Sequence, residues 1–408
     1  MSIGLAEIRL ARVALGWLVE PGNRAVYQSV SRHGPVRVLD GLLSAGLDDR
    51  LRRAAGARLG AADPRALAEA ALERAERLGA RVVVPEGDEW PRQLEDLRHL
   101  GAGETDPLER DVAPPLCLWV RGPSRLDEAL GRSVAVVGAR AATPYGEHTA
   151  RLIGYELAQR DWTVVSGGAF GVDAQAHRGA LAAGGLTVVV LASGVDRPYP
   201  VSHANLFDRV AEDGLVVSEW PPDTDPFRHR FLIRNRVIAA ATRGTVVVEA
   251  SARSGALQTL RRARQLHRPA MVVPGPVTSA MSVGCHESLR KEDVRLVTGV
   301  GHILEEVGRV GADLAPPPRG PEHARDGLDP PRRRLVEALL TRKPLPLDEL
   351  AARAGVPLRD AMRLVPGLVS GGFAAERGSG YVLAPPPDRL LAGAGPPADG
   401  PANPAARS

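Results

Sequence analysis

Three short segments of the sequence place glycine, serine or arginine directly after an apolar run. Glycine lets backbone N–H groups approach a ligand with no Cβ in the way, and an arginine guanidinium offers fork-shaped donors to phosphate oxygens. These segments therefore predict a site for phosphate groups. The alternative is that the glycines only form tight turns and that the arginines are ordinary surface residues. The candidate residues are Gly138, Arg140, Ser166, Gly167, Gly168, Arg253, Ser254 and Gly255.

A further basic segment, RHRFLIRNR at residues 228–236, carries four arginines and one histidine. One interpretation is a nucleic-acid track that includes Arg234, Asn235 and Arg236. The other is that these three residues anchor a buried helix through hydrogen bonds. Phe231 either stacks on a base or fills the core, and the core is favoured.

Acidic and histidine side chains are the candidates for catalysis. Asp173 and His177 are four residues apart and so share a helix face, while Glu249 ends an apolar run. Glu249 has the chemistry of a general acid or base for cleaving N-glycosidic bonds. The favoured alternatives are that Asp173 caps a helix with His177 packed behind it, and that Glu249 holds loop N–H groups or an arginine. We therefore predict no catalytic residue.

Several cofactor motifs do not occur in the chain. The dinucleotide pattern G-x-G-x-x-G is not met after the first strand, which offers Gly138 alone, and the second strand ends at Ser166 rather than at an acid. Neither Lys291 nor Lys343 follows a glycine, which excludes a P-loop. No H-E-x-x-H, C-x-x-C or acidic cluster suggests a metal. No cofactor and no metal are predicted.

The elements that must position these loops alternate regularly between strand and helix. Near-continuous Val/Leu strands are typical of a parallel sheet covered by helices on both faces, so we predict a Rossmann-like, doubly wound α/β fold. In such sheets ligands bind at the carboxyl ends of the strands, near the point where strand order reverses. Thr143-Pro144 has the pattern of a helix start. The predicted strands are Ser133–Val137, Thr163–Ser166, Thr187–Leu191, Leu215–Ser218, Thr245–Glu249 and Ala270–Val273.

A chain of 408 residues suggests two or three domains. Helical spacing predicts a helical domain at 1–78, followed by the α/β core at 79–312. A proline-rich linker is predicted at 313–331 and a winged-helix domain at 332–384. The Pro-, Ala- and Gly-rich segment 385–408 predicts a disordered tail.

Composition gives a mild tilt toward anionic partners, with a net charge of +4. Lysine occurs only twice among the 52 basic residues, a bias that a GC-rich genome explains. The positions of the arginines, rather than their number, therefore bear on whether the protein binds an anionic partner. The apolar runs are too short to span a membrane, and the first residues do not have the pattern of a signal peptide. The only cysteines, Cys117 and Cys285, are not in a C-x-x-C pair. We expect a cytoplasmic protein without membrane contact.

Seven ordered sequence blocks resemble the DNA-processing protein A family, also called DprA or Smf. The resemblance covers residues 78–308. The flanking parts resemble, more weakly, the sterile-alpha-motif-like (SAM-like) and winged-helix domains of many members. The blocks are VAVVGAR, SGGAFGVDAQAH, LASGVDRPYP, SEWPP, IRNRVIAAAT, VVVEASARSGALQT, and VVPGPV with SVGCHESL.

The resemblance implies a core that dimerises, binds single-stranded DNA without sequence preference and loads the RecA recombinase onto it, in natural transformation or related DNA handling. By motif, Arg140, the Ser166-Gly167 pair and residues 253–255 fall where the family's DNA pocket lies. The alternative function is that of a phosphoribohydrolase-like enzyme with the same fold. Such enzymes carry a P-G-G-x-G-T-x-x-E loop, which this chain lacks.

The chain departs from the family pattern in three places. Arg253 stands where the family often has lysine, so the positive charge is kept. Residues 290–293 replace a glycine and alanine that usually follow the SVGCHESL block. Pro366 is predicted to interrupt the recognition helix of the winged-helix domain, which argues against a role in the major groove.

Overall fold

The computed structural model describes residues 4–44, 49–58, 62–100, 112–291, 293–309 and 327–384. The chain divides into two compact units, Met1–Pro316 and Pro317–Ser408. Of the predicted linker only residues 327–331 are described, and the predicted tail at 385–408 lies outside the described residues.

A nine-stranded sheet forms the centre of the first unit. Its strands are β1 (Ala80–Val83), β2 (Leu118–Arg121), β3 (Ser133–Val137), β4 (Thr163–Ser166), β5 (Thr187–Val190), β6 (Leu215–Ser218), β7 (Gly244–Val247), β8 (Ala270–Val272) and β9 (Arg295–Leu296). The spatial order is β1-β2-β6-β5-β4-β3-β7-β8-β9. Strands β3 to β9 pair in parallel, whereas β1 and β2 are antiparallel. The predicted fold class, a mostly parallel doubly wound sheet, is confirmed.

Helices precede the sheet and connect its strands. They are α1 (Leu5–Leu18), α2 (Arg24–His33), α3 (Pro35–Leu43), α4 (Asp49–Ala55), α5 (Pro64–Arg77), α6 (Leu126–Gly131), α7 (Pro144–Ala158), α8 (Val172–Ala182), α9 (Ala204–Asp213), α10 (Arg228–Ala241), α11 (Ala256–Gln265), α12 (Val283–Leu289) and α13 (Val300–Val307). Short 3₁₀ turns lie at Gly56–Arg58, Arg92–His99 and Val201–His203. As predicted, Thr143 caps α7, since its hydroxyl accepts a bond from the Gly146 N–H at 3.3 Å.

The sheet is buried on both faces because its side chains alternate between two helical layers. On β3, Val134 and Val136 pack with α7, α8 and α13. The intervening Ala135 and Val137 pack with α10 and α11. This arrangement explains why the strands are continuous apolar runs rather than alternating ones.

The N-terminal helices share one hydrophobic cluster with the sheet. Leu15 of α1 and Leu39 of α3 belong to the same cluster as Val189 of β5 and Phe207 of α9. The apolar contact is therefore continuous across residue 78, where the sequence predicts a domain boundary.

The second unit contains α14 (Pro330–Ala338), α15 (Leu347–Ala354), α16 (Leu358–Ser370), β10 (Ala374–Arg377) and β11 (Gly380–Leu383). The two strands form an antiparallel hairpin. Three helices followed by a hairpin are the order that the winged-helix prediction requires. The turn after α15 is closed by Gly355 in the left-handed region, at a φ of 61°.

Helix α16 does not end at Pro366, contrary to the predicted interruption. Proline lacks an N–H, so the carbonyl of Met362 loses its intrahelical donor. The helix persists because Leu364 and Leu368, on either side of the proline, are buried in the unit's core.

Among the described residues, none of the helices combines the length and the hydropathy that a membrane-spanning helix needs.

Candidate nucleic-acid interface

A cavity of about 290 Å³ lies at the carboxyl ends of β3, β4 and β7. The chain runs outward from β3 through β4 and β5 to β6 and returns to place β7 on the other side of β3. The cavity thus occupies the point where strand order reverses, the expected place for a ligand. Six of the predicted site residues line it: Gly138, Arg140, Arg234, Asn235, Ser254 and Gly255. The other five do not: Ser166, Gly167, Gly168, Arg236 and Arg253.

Arg140 lies exposed in the turn after β3, and its guanidinium carbon is 5.0 Å from the centre of the Phe231 ring. Two residues earlier, Gly138 packs so closely that an added Cβ would lie 2.6 Å from Val172 and 2.9 Å from the carbonyl oxygen of Glu249. This packing fixes the turn that presents Arg140. Among the described residues, no carboxylate pairs with the Arg140 guanidinium.

Arg253 lies in the loop after β7, on the other side of the switch point. Its side chain is exposed, and no described acidic residue forms an ion pair with it. The neighbouring Ser254 and Gly255 line the cavity, and α11 begins directly after them. The N-terminus of a helix carries partial positive charge. Arg140, Arg253 and this helix end therefore supply positive charge around one small cavity.

The glycine loop after β4 is held by an acid inside the protein. The carboxylate of Asp173 accepts bonds from the N–H groups of Gly167 at 3.2 Å and Ala169 at 3.4 Å. Burial raises the pKa of Asp173, and Arg234 and these N–H groups act in the opposite direction. These two N–H groups are therefore engaged within the protein, and Asp173 holds this loop rather than capping α8, whose N-cap is Gly171.

Ser166 and Gly168 shape the same loop from within. The Ser166 hydroxyl is buried and donates to the Val136 carbonyl at 2.7 Å, which ties β4 to β3. Gly168 adopts a φ of +68°, and a Cβ there would lie 2.6 Å from the Phe207 ring. Both residues thus act in folding the loop.

Arg234 lies beneath this loop. Its Nη1 donates to the carbonyl of Gly167 at 2.9 Å and to that of Val190. Burial lowers the pKa of Arg234 to about 10. A Cβ on Gly167 would lie 2.1 Å from this guanidinium, so Arg234 in this position leaves room only for glycine at residue 167.

Arg236 is only 1% exposed and forms a two-pronged ion pair with Glu219, with both N···O distances at 2.8 Å. Burial raises the pKa of Glu219, and Arg236 opposes that shift. Asn235 differs, because it lines the cavity with its Nδ2 3.4 Å from the Gly255 carbonyl oxygen. Of the two interpretations of this segment, helix anchoring describes the contacts of Arg234 and Arg236.

The candidate catalytic residues are engaged in structural bonds. The buried carboxylate of Glu249 accepts bonds from the Thr143 N–H at 2.8 Å and the Thr143 hydroxyl at 2.7 Å. His177 is buried with Nδ1 2.7 Å from the Thr187 hydroxyl, and burial lowers its pKa to about 3. Glu249 therefore holds the loop before α7, the alternative that the sequence favours.

Sequence reasoning missed several residues that line the cavity. Ser251 and Thr259 bring hydroxyl groups, and Leu232 brings an apolar wall. Thr259 falls four residues after Gly255, on the same face of α11, and that spacing is the signal that could have revealed it. Leu232 gave no signal, because the sequence did not place the basic segment inside a helix.

The family model of DNA recombination-mediator protein A matches residues 81–308, which contain the whole cavity. A Mycobacterium tuberculosis protein described as DNA processing protein DprA is 44% identical over 350 residues, covering 85% of this chain and 86% of the relative. Protein Smf of Escherichia coli is 37% identical over 272 residues, covering 66% of this chain and 71% of the relative. The X-ray structure of DNA processing protein A from Streptococcus pneumoniae superposes with a TM-score of 0.56 at 26% identity, covering 76% of this chain and 100% of that one. The chain belongs to the DNA recombination-mediator protein A family.

Proposed function

We propose that the protein binds single-stranded DNA without sequence preference, as a mediator that performs no covalent step. The observation that carries the proposal is the pair formed by Arg140 and Arg253. Both are exposed, both lack an acidic partner among the described residues, and they stand on the loops that follow two neighbouring strands, β3 and β7. Guanidinium groups so placed are suited to the phosphates of one strand.

The size and lining of the cavity favour a single strand over a duplex. A space of about 290 Å³ is comparable in size to a single nucleotide. Phe231 and Leu232 add apolar surface beside Arg140, which suits an unstacked base. Contacts to phosphates and to the face of a base do not distinguish one base from another, so we expect weak sequence preference.

Further partners follow from the family resemblance and are proposed on that basis. They are the RecA recombinase, onto which such proteins deliver single-stranded DNA, and a second copy of this chain that pairs through the α/β core. The cytoplasm is the proposed place of action. Natural transformation or recombination is the proposed process.

The phosphoribohydrolase-like alternative lacks support from the cavity. Such an enzyme needs an acid or base free to act on a nucleotide, whereas Glu249 is buried and bonded to Thr143 at both oxygens. Incubation of the pure protein with nucleoside monophosphates tests the alternative. Release of free base that Glu249→Gln abolishes would replace the proposed function with an enzymatic one.

The direct test is the affinity of the full chain for a fluorescent single-stranded oligomer across a salt titration. We expect log K to fall against log[salt] with a slope of about −0.7 for each phosphate contact. Arg140→Ala and Arg253→Ala should each weaken binding about ten- to a hundredfold, because each removes charge-assisted bonds.

A matched control is Arg160→Ala, since Arg160 is an exposed arginine at the opposite end of the sheet, just before β4. Its affinity should equal that of the wild type. Salt-insensitive binding, a preference for duplex DNA, or unchanged affinity in both Arg140→Ala and Arg253→Ala would contradict the proposal.

A further inference from the structure

Three exposed aromatic rings lie at the carboxyl edge of the sheet. Phe170 is 49% exposed, Tyr199 is 43% exposed and Phe227 is 54% exposed, and each follows a different strand, β4, β5 or β6. The whole chain has five phenylalanines and five tyrosines. Large apolar side chains are normally buried, so exposed aromatic rings on one edge of the sheet indicate a binding surface.

Phe170 lies at the tip of the glycine loop, next to the Arg140 turn. It stands between Gly168 and Gly171, whose φ values are 68° and 72°. A Cβ on Gly171 would lie 2.4 Å from the Ala139 carbonyl oxygen and 2.7 Å from that of Arg140. The loop and the turn are thus packed backbone to backbone, which brings the Phe170 ring beside the rim of the cavity.

The loop holds Phe170 in its exposed position. The ring of buried His203 meets the Phe170 ring edge to face at 4.7 Å. The Nδ1 atom of His203 also lies 3.0 Å from the Gly168 carbonyl oxygen. Together with the bonds from Asp173, these contacts fix the loop, so half of the ring surface faces solvent in a defined place.

Tyr199 lies on a second aromatic surface beside Arg140. Its ring centre is 5.4 Å from that of Phe231, and the Phe231 ring is in turn 5.0 Å from the Arg140 guanidinium carbon. Tyr199 lies four residues before His203, whose ring contacts Phe170. Arg140 thus contacts Phe231 of α10, with Tyr199 beside that ring, and its own turn packs against the loop that carries Phe170.

We propose that Phe170 and Tyr199 form a nucleobase-stacking subsite at the rim of the cavity. In this arrangement the phosphate of a nucleotide pairs with Arg140, and the neighbouring unpaired bases lie on the two aromatic surfaces. Stacking accepts any base, because every base has a π face. The subsite rests on the proposed function and adds to it the part of the ligand, the base, that the arginines do not contact.

The test compares two oligomers of equal length, one of thymidine nucleotides and one abasic, with the full chain and its variants. Phe170→Ala should weaken binding to the thymidine oligomer about tenfold, the loss expected for one stacked base. Binding to the abasic oligomer should not change. Tyr199→Ala should behave in the same way, and Phe170→Trp should restore thymidine binding.

Tyr155→Ala is the matched control, because Tyr155 is an exposed ring on α7, away from the cavity lining. Circular dichroism should show every variant folded, since the altered side chains are half exposed. Equal losses on both oligomers, or no loss in either alanine variant, would overturn the subsite alone. Failure of the wild type to bind any oligomer would overturn the proposed function, and the subsite with it.

Discussion

At the scale of single residues, arginine serves two opposite purposes in this protein. Arg140 and Arg253 are exposed and have no acidic partner among the described residues. Arg234 and Arg236 are buried. Arg234 donates to backbone carbonyls, and Arg236 donates to the Glu219 carboxylate. From the sequence, all four arginines are candidates for DNA binding, because the residue that pairs with a buried arginine lies far away in the chain and is not visible in the local pattern.

Arg236→Ala should reduce the free energy of unfolding by about 3–5 kcal/mol, because it leaves the Glu219 carboxylate buried without its partner. Urea denaturation measures the change. Arg228→Ala is the matched control on the same helix, since Arg228 is exposed, and it should leave stability nearly unchanged. A stable Arg236→Ala protein that has lost DNA affinity would show instead that Arg236 contacts DNA.

At the scale of helices and strands, the sequence predicted what local patterns determine. Apolar runs located β3 to β8 to within two residues, and Thr143-Pro144 located the start of α7. The basic segment was not recognised as the first half of α10. Ten of the 14 residues of that helix are buried, three of its four arginines among them, so it shows no polar face.

Long-range packing was beyond the sequence patterns. The reversal that places β7 beside β3 depends on contacts between residues more than a hundred positions apart, as in the pairing of Val134 with Gly244. The hydrophobic cluster that the N-terminal helices share with the sheet likewise depends on contacts between residues far apart in the sequence. The loops at the strand ends and two cavity residues of α10, Arg234 and Asn235, were predictable, whereas Leu232 and Ile238 of the same helix were not.

Glu20, just after α1, connects the N-terminal helices to α10. Its carboxylate accepts bonds from Arg58 at 2.7 Å, from Arg230 at 2.7 Å and from the Trp220 indole at 3.2 Å. Burial alone would raise the pKa of Glu20, but the bonds from Arg230 and Arg58 lower it to about 2. A depressed carboxyl pKa stabilises the fold above the usual value, and that stabilisation is lost as pH falls toward the depressed pKa.

Glu20→Gln should therefore lower the free energy of unfolding by about 2 kcal/mol near neutral pH. The difference from the wild type should shrink as the pH approaches about 2. Urea denaturation over a pH series measures both effects. Glu73→Gln, on the exposed face of α5, is the control and should show neither. A difference that stays constant with pH would contradict the ionic role of Glu20.

At the scale of the whole molecule, the positive charge is divided between two units with separate hydrophobic cores. The core of the second unit is built from its own residues, among them Leu335, Leu350 and Leu364. Between residues 332 and 384 the sequence has nine arginines or lysines against five acids. The second unit is thus suited to add electrostatic affinity for DNA, while the cavity and the exposed Arg140 and Arg253 belong to the first.

A chain truncated after Asp313 should fold and retain most of its affinity for single-stranded DNA. Its sheet, its N-terminal helices and every residue lining the cavity lie before the cut. Loss of the second unit should reduce the affinity for single-stranded DNA by at most a few fold at low salt. Because the affinity that this unit adds is electrostatic, the difference between the truncated and the full chain should disappear as the salt concentration rises. Fluorescence anisotropy at two salt concentrations, beside circular dichroism, measures both properties.

The fragment from residue 327 onward is the complement, and it should fold but bind weakly. A truncated protein that is folded yet has lost most of its binding would place the main DNA site in the second unit, and Arg140→Ala in the full chain would then have little effect.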